Sequence, residues 1–187
     1  DPTTLCILPW RPQQGKVARL FCNIKKADGS PFEGDCRYIL KTIFEKAKSQ
    51  GLIFHAGPEC EFFLFQMDSE GKPILKPADE ATYFDVAPLD QGENTRREIC
   101  LTLEQMGFDI ESSHHESAFG QHKIDFKHAD VLKSADNILS FKNVVKTISG
   151  RNGLYASFMP KPLMNVSGSG MYINMSLFKQ GENIFSS

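Results

Sequence analysis

The chain has 187 residues, 41% of them hydrophobic and 11% aromatic, which suits one domain or a little more with a real core. Its net charge of −2 advertises neither nucleic acid nor an anionic membrane as a partner, and no apolar run approaches the ~20 residues that a membrane span needs. The cysteines Cys6, Cys22, Cys36, Cys60 and Cys100 are widely spaced and form no CxxC pair, which argues against a zinc site or a disulfide framework and favours a reducing cytoplasm.

The chain opens on DPTTLCILPW, with neither a methionine nor a signal peptide, as expected of a piece of something longer. Residues 5–8 and 17–24 read as short strands around a Pro-rich link, PWRPQQG. KADGSP is a turn cluster. Residues 36–50 predict a helix whose apolar stripe is Ile39, Leu40, Ile43, Phe44 and Ala47, stopped by Gly51. LIFHAGPECEFFLFQ is dense in strand formers, and DSEGKP then turns the chain. Residues 93–106 predict a second helix, with Ile99, Leu103 and Met106 inward and Gly107 as its stop. Residues 108–115 and 121–126 read as strands. A third helix is predicted over about 131–149, with Leu132, Ala135, Leu139, Val145 and Ile148 towards the core. LYASFMP is a strand, PKPLMNVSGSG a loop, and MYINMSLF a last strand. Strands and helices mix without strict alternation, so the class is α+β.

Two stretches gather carboxylates. In GPECEFFLF, strand alternation puts Glu59 and Glu61 on one face and Cys60 and Phe62 on the other. Carboxylates sharing a face beside a buried run repel unless a cation lies between them, and such oxygen donors suit Mg²⁺ or Mn²⁺. A strand end with two solvated glutamates is the alternative. In ESSHHE, His114 and Glu116 share a face, with Glu111 nearby. Each histidine is more often structural than a ligand. Glu116 is the better ligand candidate because it precedes a Gly-containing turn. Gly168 and Gly170 would let backbone approach a ligand closely, although a plain turn is the commoner meaning of GSG.

Together GPECEFFLF, HHESAFGQHKIDF, ADNILSFKNVVKTI and FMPKPLMNVSGSGMYINMSLF resemble, in order and spacing, the motifs of bacterial type I glutamine synthetases. PWRPQQGKVARLFCNI and PFEGDCRYILK resemble the region just upstream. The resemblance implies the end of a β-grasp domain over residues 1–26. An antiparallel catalytic domain with flanking helices would follow over 27–187. It implies ATP-dependent joining of ammonia to glutamate through an acyl phosphate, with divalent metals bridging the anions. It also implies a ring-type homo-oligomer. Carried across, Glu61 and Glu116 fall on ligands of a first metal and Glu59 on a ligand of a second. Glu111, Asn174 and Ser176 fall on ATP-site positions, and Ser167 and Gly168 on the glutamate loop.

Several positions depart from that pattern. Lys123 stands where the family has a third first-site carboxylate, and Tyr172 replaces a second-site histidine. Asn174 replaces a nucleotide-contacting histidine, and Ser167 an asparagine. The sequence stops at Ser187, ahead of the family's substrate-binding arginines. Two readings follow: a ligase that needs the rest of a longer chain, or a non-catalytic relative with a structural or regulatory role. Two requirements also follow. Glu59, Glu61 and Glu116 must face one concavity. Lys123, if it points inward, should act as a cation pairing Glu61 and Glu116, at the cost of Mg²⁺ affinity.

Overall fold

The structure is a computed structural model and describes residues 1–11 and 15–185. The middle of the Pro-rich link, residues 12–14, lies outside the described residues, as does the terminal Ser187. The described residues form two compact units. One comprises Asp1–Gly57, His128–Ile138 and the chain from Asn174 onward; the other comprises Pro58–Lys127 and Leu139–Ile173.

In the first unit a 3-10 turn at Pro2–Thr4 leads into β1 (Cys6–Ile7), which pairs antiparallel with β2 (Ala18–Arg19). The strand expected over 17–24 is thus only this short pairing; beyond it, Ile24 donates its N–H to the Asp35 carboxylate instead of continuing a ladder. Asp35 also caps α1 (Cys36–Lys48) by accepting the N–H of Arg37. The α1 stripe is narrower than its sequence suggests. Leu40, Phe44 and Ala47 are half-buried, whereas Ile39 and Ile43, on the flank of the stripe, are exposed. The Arg37 guanidinium gathers Asp1, Asn23 and Asp136, so one side chain ties three segments together. The long strand β3 (Leu52–Met67) contributes its first residues here. They pair with β7 (Ala129–Asp130), which sets His55 opposite Asp130. The later residues of β9 (Met171–Lys179) fold back onto β10 (Glu182–Asn183).

The second unit is organised by the rest of β3. It pairs antiparallel with β6 (Gln121–Phe126), β8 (Leu154–Ser157) and β4 (Pro73–Pro77). β5 (Ile110–His115) closes the other side of β6, with a bulge between Ile110 and Ser112. One face of β3 carries Cys60, Phe62 and Leu64 into the core with Ile124 of β6. That face is covered by α2 (Glu93–Gln105) and by α3 (Val131–Arg151) from Leu139 on. Ile99 and Leu103 of α2 are fully buried, while Met106 is half-buried. On α3, Val145 and Ile148 are buried as expected, but Ala135 and Leu139 are exposed and Leu132 is half-buried. Phe141 and Val144 take the inner positions instead, and Phe141 packs edge-on against Phe62. The inward side of α3 also carries polar residues, among them Ser140 and Ser149, so hydrophobicity alone marks it poorly.

The opposite face of β3 is apolar at one end and acidic at the other. Phe63 and Phe65 stack on each other and meet Ala118, Leu163 and Val166. Glu59 and Glu61 continue that face.

Phe141→Ala should cost about 3–5 kcal/mol of stability and Leu139→Ala under about 1 kcal/mol, measured by urea unfolding. The reverse order would mean that the helix is rotated.

Candidate functional site

Register fixes which side chains share the acidic face. Across β3 and β6, Glu59 is opposite Asp125 and Glu61 is opposite Lys123; across β6 and β5, Asp125 is opposite Ser112 and Lys123 opposite His114. Directly opposed residues project to the same side. Glu59, Glu61, Lys123, Asp125, Ser112 and His114 therefore line one surface. Glu116, just past β5, turns to the same side: its carboxylate bonds His114 Nε2 at 2.9 Å.

Lys123 points inward but not to the pair expected. Its Nζ donates to Glu59 at 2.6 Å and lies 3.6 Å from Asp125, so it serves Glu59 and Asp125 rather than Glu61 and Glu116. The reason is reach. Glu61 stands directly across, and the long lysine chain extends diagonally to Glu59, where two carboxylates already face each other. Burial works against the lysine charge. The hydrogen bond to Glu59 and the fields of Asp125, Glu59 and Glu116 outweigh it and raise the ammonium's pKa above the usual value. Asp125 Oδ2 accepts the Ser112 hydroxyl at 2.6 Å, while its Oδ1 is buried without a partner.

Glu61 is held from two sides. Its Oε2 accepts the Gln121 side-chain amide and the Gly170 N–H, both at 2.9 Å. The same Gln121 amide donates to Gly168 O at 2.9 Å, which fastens the glycine loop to the acidic face. Gly168 is required by close approach: a Cβ there would lie 2.5 Å from Pro160 O. Tyr172 is 68% exposed, and its ring borders Gly170. Ser167 is exposed on the loop, and Glu111 is exposed at the β5 bulge. Asn174 and Ser176 belong to the other unit, where Asn174 is exposed and Ser176 half-buried.

Behind the face lies a buried network that the sequence did not reveal. Asp79, Asp90, His115 and His122 bring their ligand atoms within 4.8 Å of one another. Their chemistry resembles a metal centre, but a cation is already present. Arg96 donates to Asp90 at 2.6 Å and to His122 Nδ1 at 2.9 Å. His115 uses both nitrogens: Nδ1 meets Glu116 O at 2.7 Å and Nε2 meets Asp79 at 2.9 Å. Donating to both oxygens requires an imidazolium. Burial opposes that charge, but the Asp79 carboxylate, the Glu116 carbonyl and the field of Asp90 raise its pKa above the usual value. Burial likewise opposes ionisation of Asp79, and the bond and charge of His115, with the Gly120 N–H, hold it at about 2. His122 is kept neutral by burial, then by Arg96 and His115. Two cations thus meet two anions. Through His115 the network grips the backbone of Glu116, and through Gly120 N–H it grips the following turn.

Gln121 and Asp125 were not singled out from sequence, although both lie two residues from Lys123 on β6 and so share its face. Asp79, Asp90 and Arg96 left no such signal; they sit on loops and a helix far from β6 in the chain.

A family model described as "Glutamine synthetase, catalytic domain" matches residues 33–187. A glutamine synthetase of Clostridium saccharobutylicum is 59% identical over 179 residues, covering 96% of this chain and 40% of that protein. One from Methanosarcina mazei is 54% identical over 185 residues, covering 99% of this chain and 41% of that protein. The solved structure "Apo GmaS without ligand" superimposes with a TM-score of 0.88 at 34% identity, covering all of this chain and 44% of the other. The chain spans about two fifths of the length of the curated relatives it matches.

The buried pair sets a pH window. The depressed Asp79 contributes stability in full above its usual 3.8, and that contribution fades as pH falls towards about 2. The raised His115 contributes in full below its usual 6.5, and that fades as pH climbs through its elevated value. Stability owed to the pair should therefore be greatest between these limits. Asp79→Asn, which strands a buried imidazolium, should cost about 3–5 kcal/mol within that window. Urea unfolding of both proteins across pH checks this; a constant difference at every pH would contradict it.

Proposed function

Because the chain belongs to the glutamine synthetase family, we propose that it carries part of the active centre of an ATP-dependent ligase. The reaction would join ammonia to glutamate by way of a γ-glutamyl phosphate. We assign residues 1–26 to the end of a β-grasp domain and 27–187 to the first part of the catalytic domain. The observation that carries this reading is the common face of Glu59, Glu61 and Asp125, with Glu116 turned towards it.

The donor set supports one divalent ion better than two. Glu61 and Glu116 offer hard oxygen donors of the kind Mg²⁺ and Mn²⁺ take. Both hydrogen bonds that orient Glu61 fall on Oε2, which leaves Oε1 as an acceptor. Glu59, the second-site candidate, is already bonded to Lys123. At ~4 Å, an ammonium and a divalent ion repel by about 8 kcal/mol at an effective dielectric of ~20. A bound ion would supply positive charge between the nucleotide phosphates and the glutamate carboxylate. The chain's own residues hold the donors in place. Gln121 and Gly170 fix Glu61, His114 and His115 fix Glu116, and the Gln121 bond to Gly168 sets the loop proposed for glutamate. Ser167 belongs to that loop. Glu111, Asn174 and Ser176 are assigned to ATP on the resemblance of their motifs alone.

The five cysteines are all unpaired, which fits the cytoplasm. Among the described residues no helix is long and apolar enough to cross a membrane. Self-association into a ring is proposed from the family. The alternative of a non-catalytic relative draws only on Lys123, Tyr172 and the other departures from the motifs.

Isothermal titration with Mn²⁺ tests the ion assignment. Glu61→Gln and Glu116→Gln should each weaken binding by at least about tenfold, a change of roughly 1.4 kcal/mol. Binding to the unmodified chain should be weaker than to a relative with a carboxylate at position 123. Tight Mn²⁺ binding that survives both substitutions would overturn the assignment.

A further inference from the structure

Phe84 belongs to none of the positions assigned above, yet its backbone and its ring are both held in an unusual place. Its φ is 61°, a left-handed conformation that bulky side chains rarely adopt. A closed turn holds it there. The Asp85 carboxylate accepts the N–H and the hydroxyl of Thr82, and the Asp85 N–H donates back to Thr82 O. The Phe84 N–H donates to His115 O at 3.1 Å, which fastens this turn to the end of β5. The Phe84 ring then lies flat on His114, with centroids 4.5 Å apart and planes only 6° apart. Tyr83 meets both rings edge-on. This is not ordinary core packing, because Phe84 remains 60% exposed. His114 is the covered partner, with 12% of its side chain exposed. Its Nε2 bonds Glu116 Oε1 at 2.9 Å; a carboxylate only accepts, so Nε2 carries the hydrogen.

We propose that Phe84 is a positioning residue for Glu116: its ring fixes the plane of His114, and His114 in turn aims the Glu116 carboxylate at the ion proposed for this face. An imidazole turns about its Cβ–Cγ bond over a broad range, and one hydrogen bond at its tip does not fix its plane. A parallel aromatic neighbour does, because turning the imidazole would drive its edge into the Phe84 ring. The stack leaves two orientations related by a half turn, and the bond to Glu116 selects the one with Nε2 towards the carboxylate. His115 holds the Glu116 backbone, whereas Phe84 acts on the Glu116 side chain, so the two controls are separate. Partners of this outer kind orient the side chains that ligate a metal. The left-handed φ at Phe84 is what turns its ring back over His114, which gives the local strain a purpose. This role rests on the reading of Glu116 as an ion ligand and adds to it a residue from outside the acidic face.

Proton magnetic resonance of the imidazole N–H, with Mn²⁺ titration calorimetry, tests this on the 187-residue chain. In the parent, His114 Nε2–H should give a signal protected from exchange, assigned by its loss in His114→Asn. Phe84→Gly removes the ring and suits a left-handed φ, so it should keep near-parental stability in urea yet lose that signal. It should also bind Mn²⁺ about tenfold more weakly, the low end of the loss when an outer partner of a ligand is removed. Phe84→Tyr keeps the aromatic face and should match the parent in both measurements. Phe84→Leu keeps bulk without that face and should follow Phe84→Gly, which it replaces if circular dichroism shows the glycine form to fold poorly. A protected signal that survives in Phe84→Gly and Phe84→Leu overturns the proposal, and so does its absence from the parent. Parental Mn²⁺ affinity in these two variants, in a chain that binds the ion, overturns it as well. If the parent binds no Mn²⁺ but its N–H signal requires an aromatic ring at position 84, Phe84 still positions Glu116, and only the Glu61–Glu116 ion assignment falls.

Discussion

Crowded negative charge is the constraint on which this structure turns. Glu59, Glu61 and Asp125 share one face of two neighbouring strands, and Glu116 bonds the histidine that stands across from Lys123. Carboxylates placed together repel, and cations nearby relieve that repulsion. The chain supplies such cations in two layers. On the face, Lys123 neutralises the most directly opposed pair. Behind it, the His115–Asp79 and Arg96–Asp90 pairs balance each other in the core. Removing one partner from such a buried set costs more than the set itself contributes, so its members are interdependent.

The two layers meet at one residue. His115 is on the inner side of β5 and Glu116 follows it, so the imidazolium holds the backbone whose next side chain reaches the acidic face. The Gly120 turn is held by the same Asp79 that holds His115. Gly92 keeps room for the neutral His122, since a Cβ there would lie 2.6 Å from its ring. The backbone that presents Glu116 is thus anchored by buried charges.

Much of this was legible in the sequence, and the reason is periodicity. The alternation of β3 places Glu59 and Glu61 together and buries Phe62 and Leu64, as a period of two requires. Helix stops at Gly51 and Gly107 also agree with positive backbone φ angles there. What failed depended on neighbours. The partner of Lys123 is set by the register of β3 against β6, and one sequence does not specify a register. The α3 stripe was misread because Ser140 and Ser149 share the buried side, while Leu139 faces out. The histidines of HHE were weighed as structural or ligating, and His115 is structural in a sense that required Asp79 to be seen.

The central claim is that Lys123 pairs with Glu59, beside Asp125, so that the ion proposed for this face lies with Glu61 and Glu116. Anomalous diffraction at the manganese edge, on crystals of this chain grown with Mn²⁺, tests it most directly. The account predicts an anomalous peak beside Glu61 and Glu116 and none between Glu59 and Asp125, where density for the lysine side chain should remain. A manganese peak between Glu59 and Asp125, with Lys123 swung away, would contradict it.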